Sequence, residues 1–160
     1  MSWLGLTVAS LLLGCGEGDK GLSQAICRYH VTDFSLPDLA GRPHRVREYL
    51  DRGPVLLFFF TSWCPFCRSE IPQLKEIERE RDALGVRLVA IGAGLNDTVE
   101  TVRRYAVQHR LPYVVLYDDE SAVSARFGVK AVPAAFLVRQ DGCMTALGSR
   151  VTASSLKPFL

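Results

Sequence analysis

Trp63-Cys64-Pro65-Phe66-Cys67 places two thiols three residues apart, directly after the apolar run Val55-Leu56-Leu57-Phe58-Phe59-Phe60. Two cysteines at this spacing can carry out dithiol–disulfide exchange. One thiolate attacks a disulfide, and the second thiol resolves the mixed disulfide that forms. The thiolate is the reactive species. It is favoured at a helix N-terminus, where unpaired N–H groups and the positive end of the helix dipole gather. Such a site needs a strand, then the cysteine pair, then a helix.

The surrounding sequence supplies those elements. The apolar run follows Gly53-Pro54 and predicts a buried central strand over 54–60. A helix is predicted from near Cys64 to about Leu84, with Ile71, Leu74, Ile77 and Leu84 at helical spacing and a charged outer face. Pro72 lies inside it and predicts a kink. Upstream, Phe34 to Val46 predicts a small hairpin turning at Ala40-Gly41-Arg42-Pro43, then a helical turn over 47–52. Downstream come a strand over 86–92, a helix capped by Asn96 or Asp97 and running to about His109, and a strand over 113–117. A short helix over 121–127 ends at Gly128, and a hairpin over 134–147 turns at Gln140-Asp141-Gly142. The tail from Ala153 predicts a last short helix. Alternating strands and helices followed by a terminal hairpin predict a mixed sheet covered on both faces.

The chain has 160 residues, 48% hydrophobic and 22% charged, with a net charge of +2. That is one domain's worth of chain, able to bury a core. No basic stripe marks it for nucleic acid. Five cysteines are too few for a disulfide scaffold at this length. Residues 1–15 read as a signal peptide, with an apolar stretch from Trp3 to Leu13 that is too short to span a bilayer. It ends in Leu12-Leu13-Gly14-Cys15, which resembles a lipobox and makes Cys15 the candidate lipid-attachment residue. No Lys or Arg precedes the apolar stretch, and Leu13 is bulkier than that pattern prefers. Residues 16–30 read as a tether and 31–160 as the folded domain. The expected location is extracytoplasmic, in the periplasm or cell envelope, with a membrane anchor.

From about Val31 to Leu160 the chain resembles the thioredoxin superfamily, in particular its exported TlpA/ResA-like branch. The resemblance rests on Asp33-Phe34-Ser35-Leu36-Pro37-Asp38-Leu39, Phe60 to Cys67, Glu70-Ile71-Pro72 and Phe127-Gly128-Val129-Lys130-Ala131-Val132-Pro133. It implies an α/β fold of three layers, thioredoxin-like, with a central mixed β-sheet flanked by helices and an N-terminal β-hairpin extension. It implies a thiol-disulfide oxidoreductase with no cofactor and no metal, acting on protein disulfide or dithiol substrates, more often as a reductant, and served by a membrane or periplasmic electron donor. Cys64 would be the more exposed, attacking thiol and Cys67 the resolving one. Trp63, Pro65 and Phe66 would support the site, with Phe66 tuning potential and partner surface. Pro133 would be a cis-proline beside the cysteines, and the Val132 backbone would pair with a substrate strand. Glu70, on the helical face of Cys67, would lie near the thiols and exchange a proton with Cys67. Phe58 stands where thioredoxin itself has a buried acid, which leaves that task to Glu70 or water.

Two other readings remain open on sequence. Thr61-x-x-Cys64 fits a peroxiredoxin pattern, although Phe58 stands where a proline is expected. One C-x-x-C could also serve a copper-binding chaperone, but no histidine stands at a clear ligand spacing. His30, His44 and His109 read as isolated surface residues. In an oxidising compartment Cys27 and Cys143 could pair and staple the tether to the domain; sequence cannot show the Cα approach this needs, and the expectation is two free or separately used thiols.

Overall fold

A computed structural model describes residues 27, 29–31 and 33–160. The signal-like segment, Cys15 and most of the expected tether lie outside the described residues.

The central strand forms where the apolar run predicts it, as β3 (Val55–Phe60), with all six residues buried. The hairpin strands are β1 (Ser35–Pro37) and β2 (Pro43–Arg45), followed by α1 (Val46–Leu50). After β3 come α2 (Pro65–Arg79), α3 (Arg81–Leu84), β4 (Arg87–Ala93), α4 (Val99–Gln108) and β5 (Val114–Asp118). The chain closes with α5 (Ala122–Arg126), β6 (Ala134–Val138), β7 (Met144–Gly148) and α6 (Ala153–Leu156), which runs into a 3₁₀ turn. The five-stranded sheet has the order β5-β4-β3-β6-β7. Strands β3, β4 and β5 are parallel, and β6 and β7 are each antiparallel to their neighbours. This is the thioredoxin-like mixed sheet with its hairpin extension.

Side chains alternate across a strand, and β3 uses both sets. Leu56, Phe58 and Phe60 meet Ile71, Leu74 and Ile77 of α2, Val102 and Tyr105 of α4, and Leu156 of α6. Val55, Leu57 and Phe59 meet Leu36 of the hairpin, Val46 and Leu50 of α1, and Val123 of α5. A strand covered on both faces has no solvated side, which is why its sequence is continuously apolar.

Two expectations are corrected. The helix read as running to Leu84 breaks at Glu80, whose backbone leaves the helical region (φ −92°, ψ 6°), and α3 then ends on Gly85 in the left-handed conformation. Pro72 lies inside α2, which continues past it to Arg79. The cap of α4 is Thr98, whose side chain accepts from the Thr101 N–H in a capping box; neither Asn96 nor Asp97 plays that part.

The chain just before the hairpin is docked. Val31 N–H donates to the Gly142 carbonyl and Met144 N–H to the Tyr29 carbonyl, so Tyr29–Val31 lies against the start of β7. Cys27 and Cys143 form a disulfide with Cα atoms 5.5 Å apart, which overturns the expectation of two free thiols. His44 is likewise not an isolated surface residue: it is half-buried, 3.2 Å from the Asp38 carboxylate and 2.6 Å from the Tyr49 hydroxyl. His109 packs on the Tyr105 ring at 4.4 Å, and His30 lies 3.4 Å from the Cys27 sulfur.

Candidate active site

Beyond Phe60 the chain turns through Thr61-Ser62-Trp63 and enters α2 at Cys64. Cys64 is the N-cap, in extended backbone (φ −80°, ψ 112°), and its Sγ accepts from the Cys67 N–H at 3.1 Å. A sulfur thus does here what a Ser or Asp oxygen does at most helix starts. Pro65 fills the first helical turn, where its missing N–H costs nothing. Cys64 and Cys67 are joined as a disulfide, Cα atoms 5.3 Å apart. Cys64 is 4% exposed and Cys67 1%, so the outer sulfur is the one that the resemblance makes the attacker.

The opposite wall comes from the segment before β6. The Val132–Pro133 peptide is cis, and the Val132 carbonyl oxygen lies 3.7 Å from Cys64 Sγ. Trp63 and Phe66 flank the disulfide at 57% and 73% exposure, an apolar collar open to solvent. Glu70 is not a solvated helix-surface residue; it is 8% exposed, one turn along α2 from Cys67. Phe58 is buried beneath α2 and offers no proton. The structure therefore brings Trp63, Cys64, Pro65, Phe66, Cys67 and Glu70 together with Val132 and Pro133 at the C-terminal end of β3. Cys15 lies outside the described residues. Among the described residues no group of three or more His, Cys, Asp or Glu side chains could hold a metal ion, and no helix is long and apolar enough to cross a membrane.

The loop after β4 also reaches the site, and sequence reasoning missed it. Trp63 Nε1–H donates to the Leu95 carbonyl at 2.9 Å. Ser62 donates from both N–H (2.6 Å) and Oγ–H (2.8 Å) to the Asp97 carboxylate. The available signal was topological. Parallel neighbours β3 and β4 must end side by side, so the loops that follow them meet. Nearby, burial pushes the Tyr105 phenol up to about 12, against the pull of Arg68, and raises that of Tyr117. Both remain hydroxyls at neutral pH, and the Tyr117 hydroxyl donates to the Asp97 carbonyl at 2.9 Å.

Comparisons with known proteins agree with this fold. Residues 28–147 match the AhpC/TSA family. The thiol-disulfide oxidoreductase ResA of Geobacillus thermodenitrificans (strain NG80-2) is 32% identical over 110 residues, covering 69% of this chain and 62% of that one. A putative peroxiredoxin of Mycobacterium tuberculosis is 35% identical over 101 residues, 62% of this chain and 64% of that one. The chain thus spans less than two thirds of the length of either relative. A secreted Mycobacterium tuberculosis disulfide oxidoreductase, described as homologous to Escherichia coli DsbE, superposes with a TM-score of 0.67 at 26% identity, over 79% of this chain and 92% of that one.

Proposed function

Because this chain belongs to the AhpC/TSA family, a redoxin family, and holds a disulfide at the head of α2 against a cis-proline, we propose that it is a thiol-disulfide oxidoreductase acting on protein disulfides through Cys64 and Cys67. The observation that carries this reading is the placement of Cys64 Sγ. It caps α2 and faces the Val132 carbonyl, so the same sulfur is activated by the helix and aligned with a backbone edge that a substrate strand can pair with. In the reductive direction the Cys64 thiolate attacks a substrate disulfide. One substrate sulfur leaves as a thiolate and the other stays bound to Cys64. Cys67 then loses its proton and attacks Cys64 Sγ; the Cys64–Cys67 bond forms, and the second substrate sulfur departs as a thiolate that takes up a proton. Glu70 receives the Cys67 proton. Cys64→Ser is expected to abolish reduction of a protein disulfide, and Cys67→Ser to trap mixed disulfides visible on non-reducing gels. Turnover retained by Cys64→Ser would refute the assignment.

The protein works outside the cytoplasm, as a reductant, tethered through Cys15. Support for export comes from the signal-like residues 1–15, from the relative described as secreted and from the second disulfide, Cys27–Cys143, since such bonds persist in oxidising compartments. Fatty-acid labelling that is lost in Cys15→Ala tests the anchor. A Cys64–Cys67 potential near that of thioredoxin, about −270 mV, fits a reductant; one near about −120 mV reverses the direction.

A second reading, thiol peroxidase, is favoured by two observations. Thr61, in the Thr-x-x-Cys spacing, is fully buried with its hydroxyl unpaired among the described residues, and a relative is named a peroxiredoxin. Stopped-flow oxidation of the reduced protein by hydrogen peroxide decides it: a rate no faster than that of a free thiol removes this reading.

A further inference from the structure

We propose that Asp97 is the positioning residue of the exchange site: through Ser62 it fixes the turn that holds the Cys64 sulfur in register with the Val132 carbonyl. The inference rests on the thiol-disulfide reading above and adds a determinant of its protein substrates.

Asp97 stands 33 residues from Cys64 in sequence, yet its carboxylate is the hub of the turn that leads into Cys64. It accepts from Ser62 N–H at 2.6 Å, from Ser62 Oγ–H at 2.8 Å and from Thr98 N–H at 3.1 Å, and the Thr101 hydroxyl donates to it as well. The residue is only 9% exposed. Hydrogen bonds to a charged acceptor in such a setting are the strong ones. Ser62 is flanked by two further ties. Thr61 offers its carbonyl to the Cys64 N–H at 3.3 Å, and the Trp63 indole N–H is held by Leu95 at 2.9 Å.

The hub is itself fixed. The Tyr117 hydroxyl donates to the Asp97 carbonyl, and the α4 capping box begins at the next residue. Gly94, which opens this loop, donates its N–H to the Asp118 carbonyl, and a Cβ there would stand 1.9 Å from the Asp119 carbonyl oxygen. The loop is therefore seated on the end of β5. Helix capping needs none of the Ser62 bonds, because Thr98 already caps α4. What those bonds do is set the path from β3 to Cys64.

Placement matters most for a substrate that must meet Cys64 and the Val132 backbone at once. A small aromatic disulfide needs only the sulfur. Displacement of a reacting group by about 1 Å can cost on the order of a hundredfold in rate. The test compares reduction of a protein disulfide with reduction of a small aromatic disulfide in wild type, Asp97→Ala and Asp97→Asn. Asparagine can accept from Ser62 N–H and donate to Ser62 Oγ, but its amide N–H then faces the Thr98 N–H, so it keeps the Ser62 tie and loses the Thr98 one. The expected result is a fall on the order of tenfold in kcat/KM for the protein disulfide alone in Asp97→Ala, with Asp97→Asn recovering part of it. Circular dichroism and urea unfolding establish that the variants are folded; if Asp97→Ala does not fold, Ser62→Gly is read in its place, with the same selective loss expected. A folded Asp97→Ala that keeps wild-type kcat/KM for the protein disulfide overturns the inference, as does equal loss on both substrates. A wild-type protein that reduces no protein disulfide refutes the thiol-disulfide reading instead.

Discussion

Glu70 is where composition and position disagree most sharply. A glutamate in the early turns of a charged helix is ordinarily solvated, yet this one is 8% exposed, on the helical face of Cys67. Burying a carboxylate costs free energy, and this one stands one turn along α2 from Cys67. We expect Glu70→Gln, which keeps the shape and removes the charge, to leave the urea midpoint unchanged or raised. The release of substrate from a preformed Cys64 mixed disulfide should slow on the order of a hundredfold, the lower end of what a positioned proton acceptor supplies. Single-turnover release measured against pH checks this, and an unchanged rate removes Glu70 from the proton path. At this scale Cys64 and Cys67 were legible because their spacing is itself the chemistry, and Pro133 only through the family resemblance. Asp97 was not, because its role lies across a gap of 35 residues to Ser62 and its local context reads as a helix cap.

Among the elements, the hairpin shows how one side chain can hold a turn. Asp38 accepts from the Arg42 and Ala40 N–H groups at 2.9 and 2.8 Å and from Arg42 Nε at 2.8 Å, with His44 at 3.2 Å. The Arg42 N–H above all, then His44, Ala40 N–H and the Arg42 guanidinium, hold its carboxyl well below the usual carboxylate range, against the opposing effect of burial. A depressed folded value means that the ionised form carries the stabilisation. The contribution is whole above the unfolded value of about 4 and is lost as pH falls through the folded value. The hairpin should therefore weaken in acid. Thermal unfolding of wild type and Asp38→Asn should differ most above about pH 5 and converge as pH drops below about 4; a constant gap would show that the charge does not matter. The sequence carried the hairpin through its turn residues and alternation. It did not carry the partner, which is β5: Asp38 bridges to Leu116, so the hairpin closes an edge of the main sheet. Periodicity reports which face of an element is buried, not which neighbour buries it.

The whole molecule is arranged about β3, with the exchange site at its C-terminal end and a second disulfide far from it. Strand β6 runs antiparallel to β3, so Val138 lies beside Val55, and the turn carrying Cys143 stands at the opposite end of the sheet from Cys64. There Cys27 is tied to Cys143 across 116 residues, and Tyr29–Val31 lies along the start of β7. Sequence could show neither that approach nor which edge the N-terminal segment would take, because both depend on where the last hairpin folds back. Cys143 is 1% exposed, whereas Cys27 is half-buried, so the bond is screened from external thiols on one side. A link that closes a loop of about 100 residues removes chain entropy from the unfolded state worth up to about 4.7 kcal/mol, and measured effects are commonly about 2–4 kcal/mol. We expect the paired variant Cys27→Ser/Cys143→Ser to unfold at lower urea concentration by an amount in that measured range, with Cys64–Cys67 kept oxidised in both proteins. The same variant should reduce a small aromatic disulfide at the wild-type rate, since the two sites share no residue. Hydrogen exchange should rise first at Met144, whose N–H is held by Tyr29, while β3 stays protected. Equal urea midpoints for the two proteins would mean that the N-terminal segment is held by its strand pairing alone and that the bond contributes nothing to the fold.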